Sequence, residues 1–505
     1  MIMIIVYFSG LVLKSVYVTA LCMSLISIQS AVFANEKTIF ESIQLEHSNQ
    51  IKMNQYAQPC EEILPQSEQL KSIQNKIAQS PQERKKYLNQ FWDRAKRTGT
   101  PLIEPIDQHN SRMIFLWRGA EHNVRLIGGP SNDHEWLTRL PDTDIWFKEA
   151  IVDNRFIGSY SFAVDLPNLD GYLSHYCPQL NSNLKESRVQ RRAILQVQKI
   201  DPLNINVLFQ SKSTTTSNDT TQKKLDELSQ KIKLRSENIV SLSQSPQFID
   251  PSQYSNHPNP KLKHFILKSK IMDNERMIQT YQSKKKNPND SYITAIFFDG
   301  KQYSELLNVP KALDILVELG QLPPIQAVFV SPPSDVLRPQ ELTPNKAYTQ
   351  FFIDELIPFI DQKLPNRDRS KTVILGSSLG GLSSAYMAIQ FPQQISHVVP
   401  LSSSFWWQKD SKDVPNSMSK IIRESSNQSK QQWFISANTY ETSKNNNDLS
   451  ILETSEIVAN DLKKQGHQVH YQNYVGGHSY AVWQIILQDA LLHFFLKVIN
   501  KPNDE

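Results

Sequence analysis

An all-β sandwich followed by a doubly wound α/β sheet is the fold predicted by three observations. Between about Tyr87 and Ser211, short apolar runs alternate with Gly and Pro turn signals, the spacing of an antiparallel sandwich. After about Pro260 the runs alternate instead with helical patterns, as strands buried on both faces do. The 505 residues, 39% of them hydrophobic, are enough for two cores.

The chain divides into five segments. Residues 1–34 are nearly all apolar, carry one basic residue, Lys14, and end in small residues before Asn35, which reads as a secretory signal cut after Ala34. An uncleaved anchor is the alternative, since the stretch is long enough to span a bilayer. Lipidation at Cys22 is disfavoured by the large Leu21 before it. Residues 35–86 form a polar lead-in with helical periodicity in Leu70, Ile73 and Ile77. The sandwich is expected over 87–210, from runs such as Met113 to Trp117, Asn123 to Ile127, Tyr160 to Val164 and Ile205 to Phe209. Residues 211–259 read as a Ser- and Thr-rich linker and one amphipathic helix, with Leu225, Leu228, Ile232 and Ile239 on its stripe. The α/β domain is expected over 260–500, with strands at Ile293 to Phe298, Ile325 to Ser331, Thr372 to Gly376, His397 to Ser402, Trp433 to Ala437 and Val469 to Val475.

Lys plus Arg (54) exceed Asp plus Glu (50) by four, with the signs interspersed, so no nucleic-acid partner is indicated. Three cysteines without CxxC spacing argue against a structural zinc site. In an exported protein Cys60 and Cys177 are a candidate disulfide, with two unpaired thiols as the alternative.

The chemistry-bearing motif is Gly376 to Gly381, GSSLGG, with Ser378 in the middle of Gly-x-Ser-x-Gly. It follows an apolar strand and precedes a helical run, the context of a nucleophile elbow. A serine hydroxyl needs a base. His478, in YVGGHSYAVW after the last strand, fits, and Gly476 and Gly477 read as a flexible bend that lets its ring swing over the sheet edge. His397, His467 and His470 flank or lie within strands and read as structural. The acid is expected after the penultimate strand: Glu441 at the strand end, with Asp448 as its rival and a serine and histidine pair without an acid as the further alternative. Oxyanion donors are expected from the backbone N–H of Leu379 and from Gly300 in the loop after Phe298.

Several separated stretches together resemble the enterochelin (ferric enterobactin) esterase family. In the first domain these are Phe91 and Trp92, GTPLIEP (Gly99 to Pro105), FLWRG (Phe115 to Gly119), the long run Asn123 to Phe147, and DPLN (Asp201 to Asn204). In the second they are FFDG, RPQEL (Arg338 to Leu342), GSSLGGL, SSSFWW (Ser402 to Trp407) and GGHSYAVW. The resemblance implies an immunoglobulin-like N-terminal domain, an α/β-hydrolase catalytic domain, and cleavage of the lactone esters of a tricatecholate siderophore, and the exported start resembles the family's periplasmic members. It implies Arg338 near the substrate, and the flat anionic substrate suggests aromatic surface from Trp406, Trp483 and Trp146. Arg139 to Phe147 is expected to border the cleft. No cofactor or protein-bound metal is expected, since iron arrives with the ferric catecholate substrate, and no membrane anchor remains once the signal is removed. Asn438 stands where the family usually has glycine, and the segment from Ser211 to about Gln244 reads as an insertion. Two other functions compete: a secreted carboxylesterase, for example on feruloyl esters, which would not need TDIWF (Thr143 to Phe147), and a periplasmic siderophore-binding protein, which would not need a strained serine elbow.

Overall fold

The computed structural model describes residues 63–496 except 131–134, 168–193, 195, 209–219, 248, 250, 286, 411, 426–428 and 445–447. The signal segment and all three cysteines, and with them the Cys60 and Cys177 pairing, lie outside the described residues.

The N-terminal region holds two antiparallel sheets. One orders β1 (Leu102–Pro105), β2 (Asn110–Arg118), β6 (Ile145–Asp153) and β5 (Thr138–Arg139). The other orders β4 (Glu135–Trp136), β3 (Val124–Gly128), β7 (Ile157–Val164) and β8 (Gln198–Lys199), with β9 (Asn238–Ser241) also paired to β7. The apolar run Met113 to Trp117 is continuous because β2 is buried on both faces. Met113 and Phe115 meet Leu126, Tyr160 and Phe162 between the sheets, whereas Ile114 and Leu116 turn outward. That outer face is covered by the helices Glu68–Gln79 and Arg84–Thr98, through Leu70, Ile73, Ile77, Trp92 and Ala95.

Three expectations change here. The lead-in is no separate segment: its stripe Leu70, Ile73 and Ile77 closes the first sheet, and the second helix runs across the expected boundary at residue 86. The expected helix stops at Gln230 with Leu225 and Leu228 buried, and Ile239 lies in β9, so the apparent insertion returns a strand to the first domain's sheet. Among the described residues 205–208 the run from Ile205 forms no strand; Ile205 is 88% exposed and Val207 makes one isolated bridge to Asn238.

The second region is an eight-stranded sheet in the order β10 (Lys263–Ser269), β11 (Asn274–Gln282), β13 (Ile325–Val330), β12 (Tyr292–Phe298), β14 (Arg367–Ser377), β15 (His397–Leu401), β16 (Gln432–Asn438) and β17 (Gln468–Tyr474). The six expected strands form its parallel part; β10 and β11 add an antiparallel edge. Alternation along each strand feeds two cores. Ala295, Phe297, Val373 and Leu375 face the helices Val309–Glu318 and Tyr480–Phe495, and Ile296, Phe298 and Ile374 face Leu379–Gln390 and Ile451–Lys464. The chain leaves β12 for β13 on one side and then returns to β14 on the other. The carboxyl ends of β12 and β14 therefore border a switch point, where sheets of this kind leave a crevice. Among the described residues no helix is long and apolar enough to cross a membrane.

Candidate active site

Ser378 stands between the end of β14 and the helix Leu379–Gln390, in a left-handed conformation, φ 56° and ψ −120°. For a non-glycine residue this geometry is strained, and the surrounding turn must hold it. Backbone contacts do so: Ser378 N–H donates to Leu401 O (3.0 Å) and Ser404 N–H donates to Ser378 O (3.0 Å). The turn also needs glycine. A Cβ on Gly376 would lie 2.4 Å from the carbonyl of Gly380, and one on Gly381 would lie 2.1 Å from Ser403 Oγ. The helix leaves the N–H of Leu379 in its first turn, beside the serine, where helix amides lack internal partners.

His478 follows β17 in the turn before the helix Tyr480–Phe495, and its Nδ1 lies 2.7 Å from Glu441 Oε1. Glu441 is 5% exposed, and its other oxygen accepts from Asn438 N–H at 2.7 Å. Asp448, the rival acid, is exposed and has no hydrogen bond or ion pair to His478 among the described residues. Ser378 Oγ lies 3.2 Å from Ser404 Oγ. No hydrogen bond joins Ser378 to His478 among the described residues, a looseness common before substrate binds. His397 and His467 are buried in packing contacts, and burial pushes both down to about 4, so they sit neutral in the fold.

Three side chains hold the base loop in ways the motif did not reveal. Asn438 Nδ2 donates to Gly477 O (2.8 Å) and to Ser402 Oγ (3.1 Å). Ser402 Oγ also accepts from Trp483 Nε1 at 2.8 Å, and the Trp483 ring meets the His478 ring edge to face at 4.8 Å. The only sequence signal was the SSS run after β15 and an asparagine in place of glycine.

Several expected substrate contacts need correction. Trp483 is 3% exposed and backs the histidine, so it offers no face to substrate. Trp146 is 5% exposed, with its Nε1 donating to Ala120 O inside the sandwich. Arg139 to Phe147 is tied to its own domain: Arg139 Nε donates to Thr143 O, and Asp144 accepts from Trp92 Nε1 (2.9 Å) and Arg118 Nε (2.8 Å). Gly300 follows β12 as expected, but a Cβ there would stand 2.4 Å from the Phe329 carbonyl carbon, so its lack of a side chain serves packing against β13 and only its N–H stays a candidate oxyanion donor. Trp406 is half-buried, two residues past Ser404. Arg338 forms a bidentate pair with the buried Asp299 (Nε to Oδ1 2.6 Å, Nη2 to Oδ2 2.7 Å), and Asp299 Oδ2 would touch a Cβ on Gly380 at 2.9 Å. The pair thus braces the nucleophile turn, a link that the separate FFDG and RPQEL stretches did not disclose.

The only group of possible metal ligands among the described residues is His257, Asp314 and Glu318, beside the helix Val309–Glu318. The two nitrogens of His257 face different carboxylates, at 3.0 Å and 3.7 Å, as in an ion-pair cluster.

A parallel sheet carrying a serine turn and a histidine–carboxylate pair at its carboxyl edge defines an α/β-hydrolase-like domain. A family described as "Putative esterase" matches residues 269–494, and one described as "Enterochelin esterase, N-terminal" matches residues 112–225. The chain is 25% identical over 424 residues to the iron(III) enterobactin esterase of Dickeya dadantii, covering 78% of this chain and 90% of that one. It is 25% identical over 356 residues to the enzyme of that name from Yersinia enterocolitica, covering 66% and 90%. The structure of ferric enterobactin esterase from Salmonella typhimurium superposes with a TM-score of 0.61 at 19% identity, over 79% of this chain and 97% of that one. Both regions of the chain are thus similar to enterochelin esterases, and the matches support a carboxylic ester hydrolase of that kind.

Proposed function

We propose that the protein hydrolyses the lactone esters of a ferric tricatecholate siderophore of the enterobactin type, releasing its iron. The observation that carries this reading is the pairing of buried Glu441 with the exposed His478, in a chain that also carries the strained Ser378 turn and whose two regions match the two families. Ser378 Oγ attacks the ester carbonyl carbon while His478 Nε2 takes its proton. Glu441 holds the Nδ1 proton and so presents Nε2 to the serine. The N–H groups of Leu379 and Gly300 receive the oxyanion, each such donor being worth about 3 kcal/mol in the transition state. Collapse breaks the ester C–O bond, His478 returns its proton to the leaving hydroxyl, and water, activated by the same histidine, frees the acyl group from Ser378. Arg338 keeps Nη1 outside its pair with Asp299 and directs it to the anionic substrate, and Trp406 offers a ring face to a catechol.

The shared core of the two N-terminal sheets supports an immunoglobulin-like sandwich as the companion domain. The apolar residues 1–34 support export to the periplasm, and mature protein sequenced from cells should begin at Asn35. The test of the activity is to mix pure protein with ferric enterobactin and resolve the products by chromatography. Linear and monomeric catecholate products are expected, and binding without cleavage would refute the proposal in favour of a siderophore carrier.

A further inference from the structure

The loop that carries His478 is built from both domains. Ile157 N–H, at the start of β7, donates to Val475 O (3.1 Å), and Ile157 bridges Gly476 in parallel. A Cβ on Gly476 would lie 2.7 Å from Ile157 O, and one on Gly477 would lie 2.9 Å from Gly129 O. The two glycines therefore admit the first domain's backbone against the loop, which corrects their reading as a flexible bend. Ser479 Oγ lies 2.8 Å from Ser159 Oγ of β7, with both serines buried. Ser159 Oγ in turn donates to the carboxylate of Glu237, in the segment just ahead of β9. An ionised carboxylate only accepts, so the hydroxyl protons run in one direction, from Ser479 to Ser159 to Glu237. Ser479 Oγ also accepts from Ala481 N–H (3.1 Å) and caps the helix that follows His478. Beside Glu441, Tyr440 meets Phe156 of the first domain edge to face at 5.5 Å. Contacts from one domain thus flank both members of the other domain's acid and base pair.

We infer that the N-terminal domain positions the catalytic base. The Ser479–Ser159–Glu237 chain and the backbone contacts of Ile157 and Gly129 hold the loop Val475 to Ser479 in one conformation, and with it the direction of the His478 ring. The inference rests on the serine-hydrolase reading of Ser378 and His478, and adds that turnover of any ester, small or large, depends on the domain interface. Ser159 and Glu237 are positioning residues, since neither touches the reacting atoms.

The test uses the full chain and p-nitrophenyl butyrate, a substrate too small to need an extended binding surface. Rates are normalised to active sites titrated with a fluorophosphonate. Ser159→Ala and Glu237→Gln are each expected to lower kcat about tenfold or more with KM within about twofold, as misalignment of a catalytic group does. Ser159→Thr, which keeps the hydroxyl, is expected to recover most of the rate. Unchanged kcat per titrated site in Ser159→Ala and Glu237→Gln, or a change in KM alone, overturns the inference. In the same assay Ser378→Ala should be inactive. If it were to turn over like the parent, the serine reading itself would fail, whatever the interface variants do.

Discussion

The nucleophile turn and the base loop meet at one sheet edge, yet they are held by different means. Gly376 to Gly381 is constrained by its own neighbours: Gly376 against Gly380, Gly381 against Ser403, and Ser378 bonded to Leu401 and Ser404, all within the α/β domain. Val475 to Ser479 is constrained from outside, by Ile157, Gly129 and Ser159 of the other domain and by Asn438 and Trp483 beneath. A turn braced within its own domain still announces itself in six consecutive residues, although Asp299, Leu401, Ser403 and Ser404 help to hold it. A loop set by an interface carries its instructions in residues more than 300 positions away, as the pairing of Ser159 with Ser479 shows.

That difference is open to attack at both ends. The largest effect is expected from Gly376→Ala, whose new methyl meets the Gly380 backbone at 2.4 Å and cannot be accommodated by a side-chain shift. Esterase activity should fall below detection, with stability reduced by about 1–3 kcal/mol in a denaturant titration. Next comes Glu441→Gln, which removes the charge that orients and stabilises the histidine; kcat should drop on the order of 10³ to 10⁴-fold. Asp448→Asn, at an exposed position, should remain within about twofold of the parent, the range of most changes away from a site. An inversion of these two results would reassign the acid. Asn438→Ala removes the amide that holds Gly477 O and Ser402 Oγ, and should lower kcat about tenfold with little change in KM. The smallest effect is on acid stability. His397 and His467 are held down to about 4 by burial, below the ordinary 6.5, so the unfolded chain binds protons first as pH falls. Stability should therefore decline between about pH 6.5 and 4, and His467→Asn, which keeps an acceptor for Gln431 N–H, should flatten that decline in melting curves.

What could be read in advance follows the same division. The six parallel strands, the serine turn and the pairing of His478 with Glu441 were legible because each depends on local periodicity or on order along the chain. Glu441 was favoured over Asp448 from its place at the end of β16, where it pairs with His478. Illegible were the features that depend on packing between distant segments. The return of residues 238–241 to β7 was hidden in a segment read as helix. The glycines of the base loop, Gly476 and Gly477, owe their place to the backbone of Ile157 and Gly129, which no local pattern announces. Tryptophans gave no hint of which would be exposed, since Trp146 and Trp483 spend their N–H groups on Ala120 O and Ser402 Oγ in the interior.

Ser378 is expected to form the covalent intermediate in cleavage of a catecholate ester, although a second hydroxyl, that of Ser404, lies only 3.2 Å away. The most direct measurement is to acid-quench the full-length enzyme during its first turnover of ferric enterobactin and to map the acylated peptide by mass spectrometry. An acyl group on Ser378, absent in Ser378→Ala and accumulating in step with the first product, is the predicted result. Acylation of Ser404 instead, or product formed in the first turnover by Ser378→Ala, would contradict it.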